Sequence, residues 1–113
     1  MFLFLGLGVN SYSQWVSVPV PTSSGLNSAF FVDANTGYVA GGGSATWSPN
    51  TTDGIILKTT DGGTNWAAVY AQSGIAFIHI FVINGIVYSF GRTSSVQGIQ
   101  DIVAYSNDDG INW

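Results

Sequence analysis

The sequence predicts an all-β fold assembled from four-stranded antiparallel meanders, and three observations carry that expectation. Two octapeptides, Thr59-Thr60-Asp61-Gly62-Gly63-Thr64-Asn65-Trp66 and Ser106-Asn107-Asp108-Asp109-Gly110-Ile111-Asn112-Trp113, share one pattern: hydroxyl, any, Asp, any, Gly, any, Asn, Trp. Asp61 and Asp108 stand 47 residues apart, and a fixed period of that size marks a repeat whose units bury their cores against one another. Between the motifs the apolar residues run continuously or alternate, without the sustained 3.6-residue period of a helix.

Overlaying the motifs brings the preceding runs into register. Ser28–Asp33 aligns with Ile78–Ile83 and supplies strand A of each unit. Gly37–Gly42 aligns with Gly85–Phe90 as strand B. Each run is rich in β-branched and aromatic residues and bounded by turn formers. Asn84-Gly85 joins A to B in the second unit, a hairpin signal because both residues tolerate positive φ; the first unit uses the longer Asp33-Ala34-Asn35-Thr36-Gly37. Strand C is Gly54–Thr59 in one unit and Asp101–Ser106 in the other, each running directly into the Asp motif. Trp66–Tyr70 leaves the first motif as strand D. The units are thus residues 28–70 and an incomplete 76–113, the second ending at Trp113 where its strand D is due to begin. Upstream, Gln14-Trp15-Val16-Ser17-Val18-Pro19 has the pattern of an orphan outer strand D, covering 14–19. A period of about 40–50 residues with four strands suits one blade of a β-propeller. The expected architecture is therefore a β-propeller fragment of about two blades.

Composition narrows the function. The chain has 113 residues, 46% apolar and 14% aromatic, which belongs to folded protein. Only 7% of residues are charged: the cations are Lys58 and Arg92, there is no Glu, and the formal net charge is −4. Phosphate-backbone binding needs clustered Lys and Arg, so nucleic acid is excluded as a partner. The absence of Cys removes disulfides and thiolate metal sites. Residues 1–13 begin Met1-Phe2-Leu3-Phe4-Leu5-Gly6-Leu7-Gly8-Val9 and turn polar at Asn10-Ser11-Tyr12-Ser13, like the apolar core and cleavage region of a secretory signal. This favours a signal-peptide remnant, lacking a basic start, over a buried first strand, and places the protein outside the cell or on its surface, with the periplasm an alternative. A spanning helix needs about 20 apolar residues, so no membrane span is expected.

Both octapeptides match the Asp-box, or BNR, repeat, with Asn65 and Asn112 where Thr is commonest. Gly37-Tyr38-Val39-Ala40-Gly41-Gly42 followed by Lys58-Thr59-Thr60-Asp61-Gly62-Gly63 and Trp66 resembles the propellers of photosystem II assembly factors and related secreted proteins, and the resemblance covers nearly everything after Gln14. It implies that Thr59, Asp61, Gly63 and Trp66, with Ser106, Asp108, Gly110 and Trp113, are structural. The carboxylate accepts backbone N–H bonds in a tight turn, Gly63 and Gly110 supply positive φ, and the Trp caps the apolar edge. The alternative, that Asp61, Asp108 and Asp109 bind calcium or substrate, lacks the alternating oxygen ligands of an EF-hand.

Successive turns of a meander alternate between two ends, so the B–C loops lie opposite the Asp motifs. Those loops, 43–53 and 92–100, are long and polar, and loops on a rigid scaffold are where binding groups concentrate. Trp47, Asn50, Arg92, Ser94, Ser95 and Gln97 are the candidates. Trp47 is suited to stacking on a sugar or anchoring a protein, and equally to packing against a neighbouring blade. Asn50-Thr51-Thr52 is a formal N-glycosylation sequon. His79, within an apolar strand, is expected to be a buried core residue, with no second His to share a metal.

Among enzymes the sharpest hypothesis is a sialidase, which resemblance to Asp-box propellers brings with an arginine triad, a Tyr–Glu nucleophile pair and an Asp acid/base. The chain offers Arg92 alone and no Glu. A xyloglucanase-type hydrolase needs paired carboxylates across a cleft, and Asp33, Asp53 and Asp101 form no arguable pair. Ser-His-Asp chemistry is no better supported with His79 buried. The preferred reading is a non-catalytic secreted or cell-surface scaffold or binding module for protein or glycan, like the assembly-factor and sortilin-type members, without cofactor or metal. Its partners include the remaining blades of a full-length protein, since about six to eight blades take on the order of 280 to 380 residues. The alternative is a hydrolase fragment whose catalytic residues lie in other blades.

Overall fold

The computed structural model describes residues 15–43, 53–95 and 97–113, and these contain strands and turns but no helix. Seven strands follow in order: β1 (Leu26–Phe31), β2 (Gly37–Gly41), β3 (Asp53–Thr59), β4 (Ala67–Ser73), β5 (Ile75–Ile83), β6 (Ile86–Ser95) and β7 (Gly98–Ser106). They form two antiparallel meanders, a four-stranded sheet β1-β2-β3-β4 and a three-stranded sheet β5-β6-β7. The expected all-β class and antiparallel meanders are present. Of the orphan strand expected over 14–19, Gln14 lies outside the described residues and residues 15–19 form no strand, with Trp15 fully exposed.

Alternation assigns each sheet two faces. In the first, Phe30, Tyr38, Ala40, Ile56 and Lys58 share the front face through the pairs Phe30 with Tyr38, Tyr38 with Lys58 and Ala40 with Ile56. In the second, Val87, Ser89, Gly91, Ile102, Ala104 and Ser106 share the back face. The front of the first sheet packs on the back of the second: Tyr38, Ala40 and Ile56 form one buried cluster with Ile75, Phe77, Ile80 and Val87. Ala40, Ile56 and Phe77 are completely buried. Tyr70 reaches across the junction, its ring 5.8 Å from Phe77 and 5.7 Å from Trp113.

The ladders correct the sequence overlay. Phe30 stands opposite Tyr38 as Phe81 stands opposite Tyr88, and Gly37 opposite Thr59 as Val87 opposite Ser106. Phe30 therefore corresponds to Phe81 rather than Ile80, and Gly37 to Val87 rather than Gly85. The one-residue displacement in the first strand exchanges faces. Its source is the connection that follows: five residues separate the paired Phe31 and Gly37, but only four separate the equivalent Val82 and Val87, while the two first strands themselves share a bulge, at Asn27 between Leu26 and Ser28 and at Ile78 between Phe77 and His79.

His79 is consequently exposed, not buried: the bulge turns it to the front face opposite Phe90. A second correction concerns residues 92–100. They form no long loop, because β6 continues to Ser95 and β7 begins at Gly98. Arg92 pairs with Asp101 and Thr93 with Gln100 in this extended hairpin. Polar residues mask the strand signal, but Thr, Ile and a cross-strand charge pair suit a sheet with a solvated end.

Opposite each bulge sits a glycine that the close backbone approach requires. A Cβ on Gly41 would fall 2.0 Å from the Gly25 carbonyl oxygen, and one on Gly91 would fall 2.5 Å from that of Ala76. Both distances are shorter than any real contact, so only hydrogen fits.

Candidate functional site

The sequence singles out two Asp turns, and the structure builds them almost atom for atom alike. In the first, the Thr59 hydroxyl donates to Asp61 Oδ1 at 2.8 Å and accepts from the Gly63 backbone N–H at 2.9 Å and, more weakly, from that of Asp61 at 3.4 Å. Asp61 Oδ1 also accepts from the Asn65 N–H at 2.9 Å, and Oδ2 from the Asn65 side-chain amide at 2.8 Å. The Trp66 indole N–H donates to the Gly63 carbonyl at 2.9 Å. The second turn repeats this with Ser106, Asp108, Asn112 and Trp113 at 2.8, 2.8, 2.7 and 3.1 Å, and with the Gly110 N–H to the Ser106 hydroxyl at 2.8 Å. The two hydroxyl residues are buried, with Thr59 and Ser106 each 1% exposed.

Asn at the seventh position is thus a working part of the turn. Its side chain supplies an N–H to the second carboxylate oxygen in both turns. Left-handed backbone occurs at two successive residues in each turn: Gly62 (φ 72°) and Gly63 (φ 96°), then Asp109 (φ 60°) and Gly110 (φ 86°). The sequence pattern flagged Gly63 and Gly110; the position before each was missed because Gly62 and Asp109 differ chemically. Asp is among the few side chains that occupy this region at modest cost.

Electrostatics follow from these bonds. The Asn112 backbone N–H, then its side-chain amide and the Ser106 hydroxyl, lower the Asp108 pKa from 3.8 to about 2. The Asn65 backbone N–H, its side-chain amide and the Thr59 hydroxyl lower Asp61 in the same way. Hydrogen bonds to the charged form are the cause, not a nearby cation. Each carboxylate spends three acceptor positions inside its own turn.

Contacts bind the turns to their surroundings. The Gly62 N–H donates to the Asn35 carbonyl at 2.8 Å, fastening the first Asp turn to the β1–β2 turn. In that neighbour, Asp33 Oδ1 accepts from the N–H groups of Asn35 and Thr36 at 2.8 and 2.7 Å. The Thr36 bond, then the Asn35 bond, lowers the Asp33 pKa. Lys58 Nζ, 5.6 Å from the Tyr38 ring centroid, donates to the Asp109 carbonyl at 2.8 Å and so ties the first sheet to the second turn. Burial, and secondarily Asp109, raises the Tyr38 pKa.

The other expected site divides. Trp47 and Asn50 lie outside the described residues. Arg92 and Ser94 are in β6, not a loop, and Gln97 is in the tight connection to β7. Arg92 Nε meets Asp101 Oδ1 at 3.0 Å across the ladder, with both side chains largely exposed. These residues do lie at the end of the sheets away from the Asp turns, as an alternating meander requires. No group of three or more His, Cys, Asp and Glu comes together among the described residues. No helix among them is long and apolar enough to cross a membrane.

A feature absent from the sequence reading is the front face of the second sheet. Phe81 stacks on Tyr88 at 5.6 Å and on Phe90 at 5.5 Å, and Tyr88 lies 6.3 Å from Tyr105. Phe90, Val103 and Tyr105 are 39%, 53% and 57% exposed. The corrected register was needed to see it, since the overlay by motif alone puts Ile80 where Phe81 belongs. No family model, curated protein or solved structure matches this chain.

Proposed function

We propose that the chain is part of a secreted or cell-surface Asp-box β-propeller that acts as a non-catalytic scaffold or binding module for a protein or glycan. The observation that carries this reading is the internal commitment of the two conspicuous carboxylates. Asp61 and Asp108 are held by donors within their own turns, which suits a structural repeat and leaves the far end of the sheets for recognition. Sparse charge supports the same view: Arg92 is already paired with Asp101, and with no Glu in the sequence the chain offers no glycosidase-type carboxylate pair beyond its six Asp. Trp47, Asn50, Arg92, Ser94 and Gln97 remain the proposed contact residues.

The test separates stability from recognition. The chain is screened on immobilised sialylated and neutral glycans, and every hit is titrated against Asp61→Ala and Trp47→Ala. The expected result is a lower melting temperature with unchanged affinity for Asp61→Ala, and the reverse for Trp47→Ala. Hydrolysis of a screened glycan by the purified chain would overturn the non-catalytic reading. For localisation, residues 1–14 fused to a reporter should direct export with cleavage near Gln14; retention of the intact fusion in the cytoplasm sinks that part.

A further inference from the structure

We infer that Asn84, at the tip of the β5–β6 hairpin, is a site of spontaneous deamidation in the folded protein, and that its isoaspartyl product loosens the hairpin from the core. The inference is independent of what the far end of the sheets binds.

The chemistry needs an asparagine side chain followed by a backbone nitrogen that can reach it. The Gly85 nitrogen attacks Asn84 Cγ and loses its proton, and the side-chain nitrogen leaves as ammonia, which closes a succinimide ring. Water then opens the ring. Addition at Cγ gives aspartate with the chain path unchanged. Addition at the backbone carbonyl carbon of residue 84 gives isoaspartate, whose chain runs through the side chain and is one methylene longer. Either route exchanges a neutral amide for a carboxylate with water as the only other reactant.

Asn84-Gly85 is the one Asn-Gly pair in the sequence, and its geometry leads toward the ring. Ile83 pairs with Ile86 around it, and φ is 51° at Asn84 and 77° at Gly85, the two positive values of a type I′ turn. A succinimide fixes ψ of its residue in the region that a type II′ turn uses at its first position, about −120° with φ positive. A flip of the single peptide between residues 84 and 85 interconverts the two turns, because residue 84 keeps its φ and glycine accepts either sign. Both primed turns fit the twist of a hairpin, so the ring can close with β5 and β6 still paired. Nothing holds the peptide back. Both residues are exposed, and a Cβ on Gly85 would meet no atom within 4 Å. Neither the Asn84 amide nor the Gly85 N–H has a hydrogen-bond partner among the described residues.

Three Asp-Gly pairs, at Asp53, Asp61 and Asp109, can close the same ring with loss of water, but their glycines are held. The Gly62 N–H donates to the Asn35 carbonyl and the Gly110 N–H to the Ser106 hydroxyl, each at 2.8 Å. Gly54 is a buried ladder residue opposite Gln72. Closure from a carboxyl also proceeds through the neutral acid, and the bonds from the Asn65 backbone and side chain and from Thr59 keep Asp61 ionised. The two products at residue 84 differ in consequence. Asp-Gly is itself a type I′ pair, so the aspartyl form retains the turn. Isoaspartate lengthens a two-residue connection whose ladder carries Phe77, Ile80 and Val87 into the core, and the register depends on that length.

The test holds the full chain in warm, mildly alkaline buffer, with and without urea, and maps its peptides by electron-transfer dissociation, which separates Asn, Asp and isoaspartate. Expected is loss of the amide at residue 84 ahead of every other asparagine, with heavy oxygen taken up from labelled water. Its rate in buffer should lie within about tenfold of that in urea, since the flip needs only local opening. Asp61 and Asp109 should resist isomerisation in buffer and yield to it in urea, which reports folding in the same digest. A greater slowing of Asn84 by folding, another asparagine reacting first, or Asp-Gly pairs that react as readily in buffer as in urea overturns the site. For the consequence, the aged chain is resolved by ion exchange, where each product adds one negative charge to a net −4. The isoaspartyl form should melt at least about 4 °C below the parent, with Asn84→Asp close to the parent. Asn84→Gly, which keeps a type I′ pair without the amide, should remove the leading charge variant; its persistence places the reaction elsewhere and overturns the site. An isoaspartyl form that melts with the parent overturns the loosening.

Discussion

Ala40 and Ile56 in the first sheet are fully buried, whereas Phe90 and Val103, at the same lattice positions of the second, are 39% and 53% exposed. The backbones around them are nevertheless built with the same devices: a bulge in the first strand, a glycine opposite it in the second strand, and an Asp turn after the third. The comparison teaches that the backbone plan is set locally, by glycine, bulge and turn, while the identity of a front-face side chain answers to whatever lies against it. Ala40 is small because Phe77 and its neighbours share its cluster.

The largest effect is expected from emptying the covered side and the open side in turn. Phe77→Ala removes a ring with no exposure and should cost roughly 3–5 kcal/mol. Phe90→Ala should cost under about 1.5 kcal/mol, since part of its area is already wet. Denaturant titration measures both, and equal losses would mean that the two faces are not different environments. Next come the glycines. Gly41→Ala and Gly91→Ala each drive a methyl into backbone, and about 3 kcal/mol is expected for either, at the upper end of overpacking costs. If one is tolerated, the shared bulge geometry is not the shared constraint.

Much of this plan is legible in the sequence, and the failures have physical causes. The turns were readable because the bonds that shape them are local: hydroxyl, carboxylate, amide and indole lie within eight residues. Strand existence was readable from β-branched and aromatic runs. Register was not, because the connections between first and second strands differ in length by one residue, and the bulge at Ile78, which adds a residue without changing composition, separately misplaced His79. The hairpin Arg92–Asp101 looked like a loop since its stability comes from pairing rather than burial, with both charged side chains in water. Trp47 and Asn50 lie outside the described residues.

Smaller effects distinguish the two turns. Asp109 occupies left-handed backbone where the first turn has Gly62. Asp109→Gly should stabilise by about 0.5 kcal/mol, relief of strain being partly offset by a freer unfolded chain, and Gly62→Asp should destabilise by a similar amount. Thermal melts of the two single variants and the double swap check this, and additivity is expected because the two residues bond to different partners, Gly62 to Asn35 and Asp109 to Lys58. The smallest effect is on pH. Asp108 falls from 3.8 to about 2 on folding and Asp61 is lowered likewise. A depressed carboxylate contributes stability that is complete above its unfolded pKa of about 4 and is lost as pH falls toward its folded value. The melting temperature should therefore be flat from neutrality to about pH 4 and decline between about 4 and 2. Asp108→Asn should flatten part of that decline. The size is modest because both carboxylates are solvent-facing and screened.

One contact sets a clock on the molecule. The Asn27 side-chain amide, at the first bulge, donates to the Gly42 carbonyl at 3.3 Å and to the Phe77 carbonyl at 2.7 Å, and the Ser28 hydroxyl receives the Ile80 N–H at 3.2 Å. Both long-range bonds span about half the sequence, so a chain growing from its N-terminus can complete the first meander yet leave its opening strand loosely held until β5 has been made. In hydrogen-exchange pulses on stalled nascent chains, the β1 amides should gain protection later than those of β2 and β3, in step with the appearance of β5.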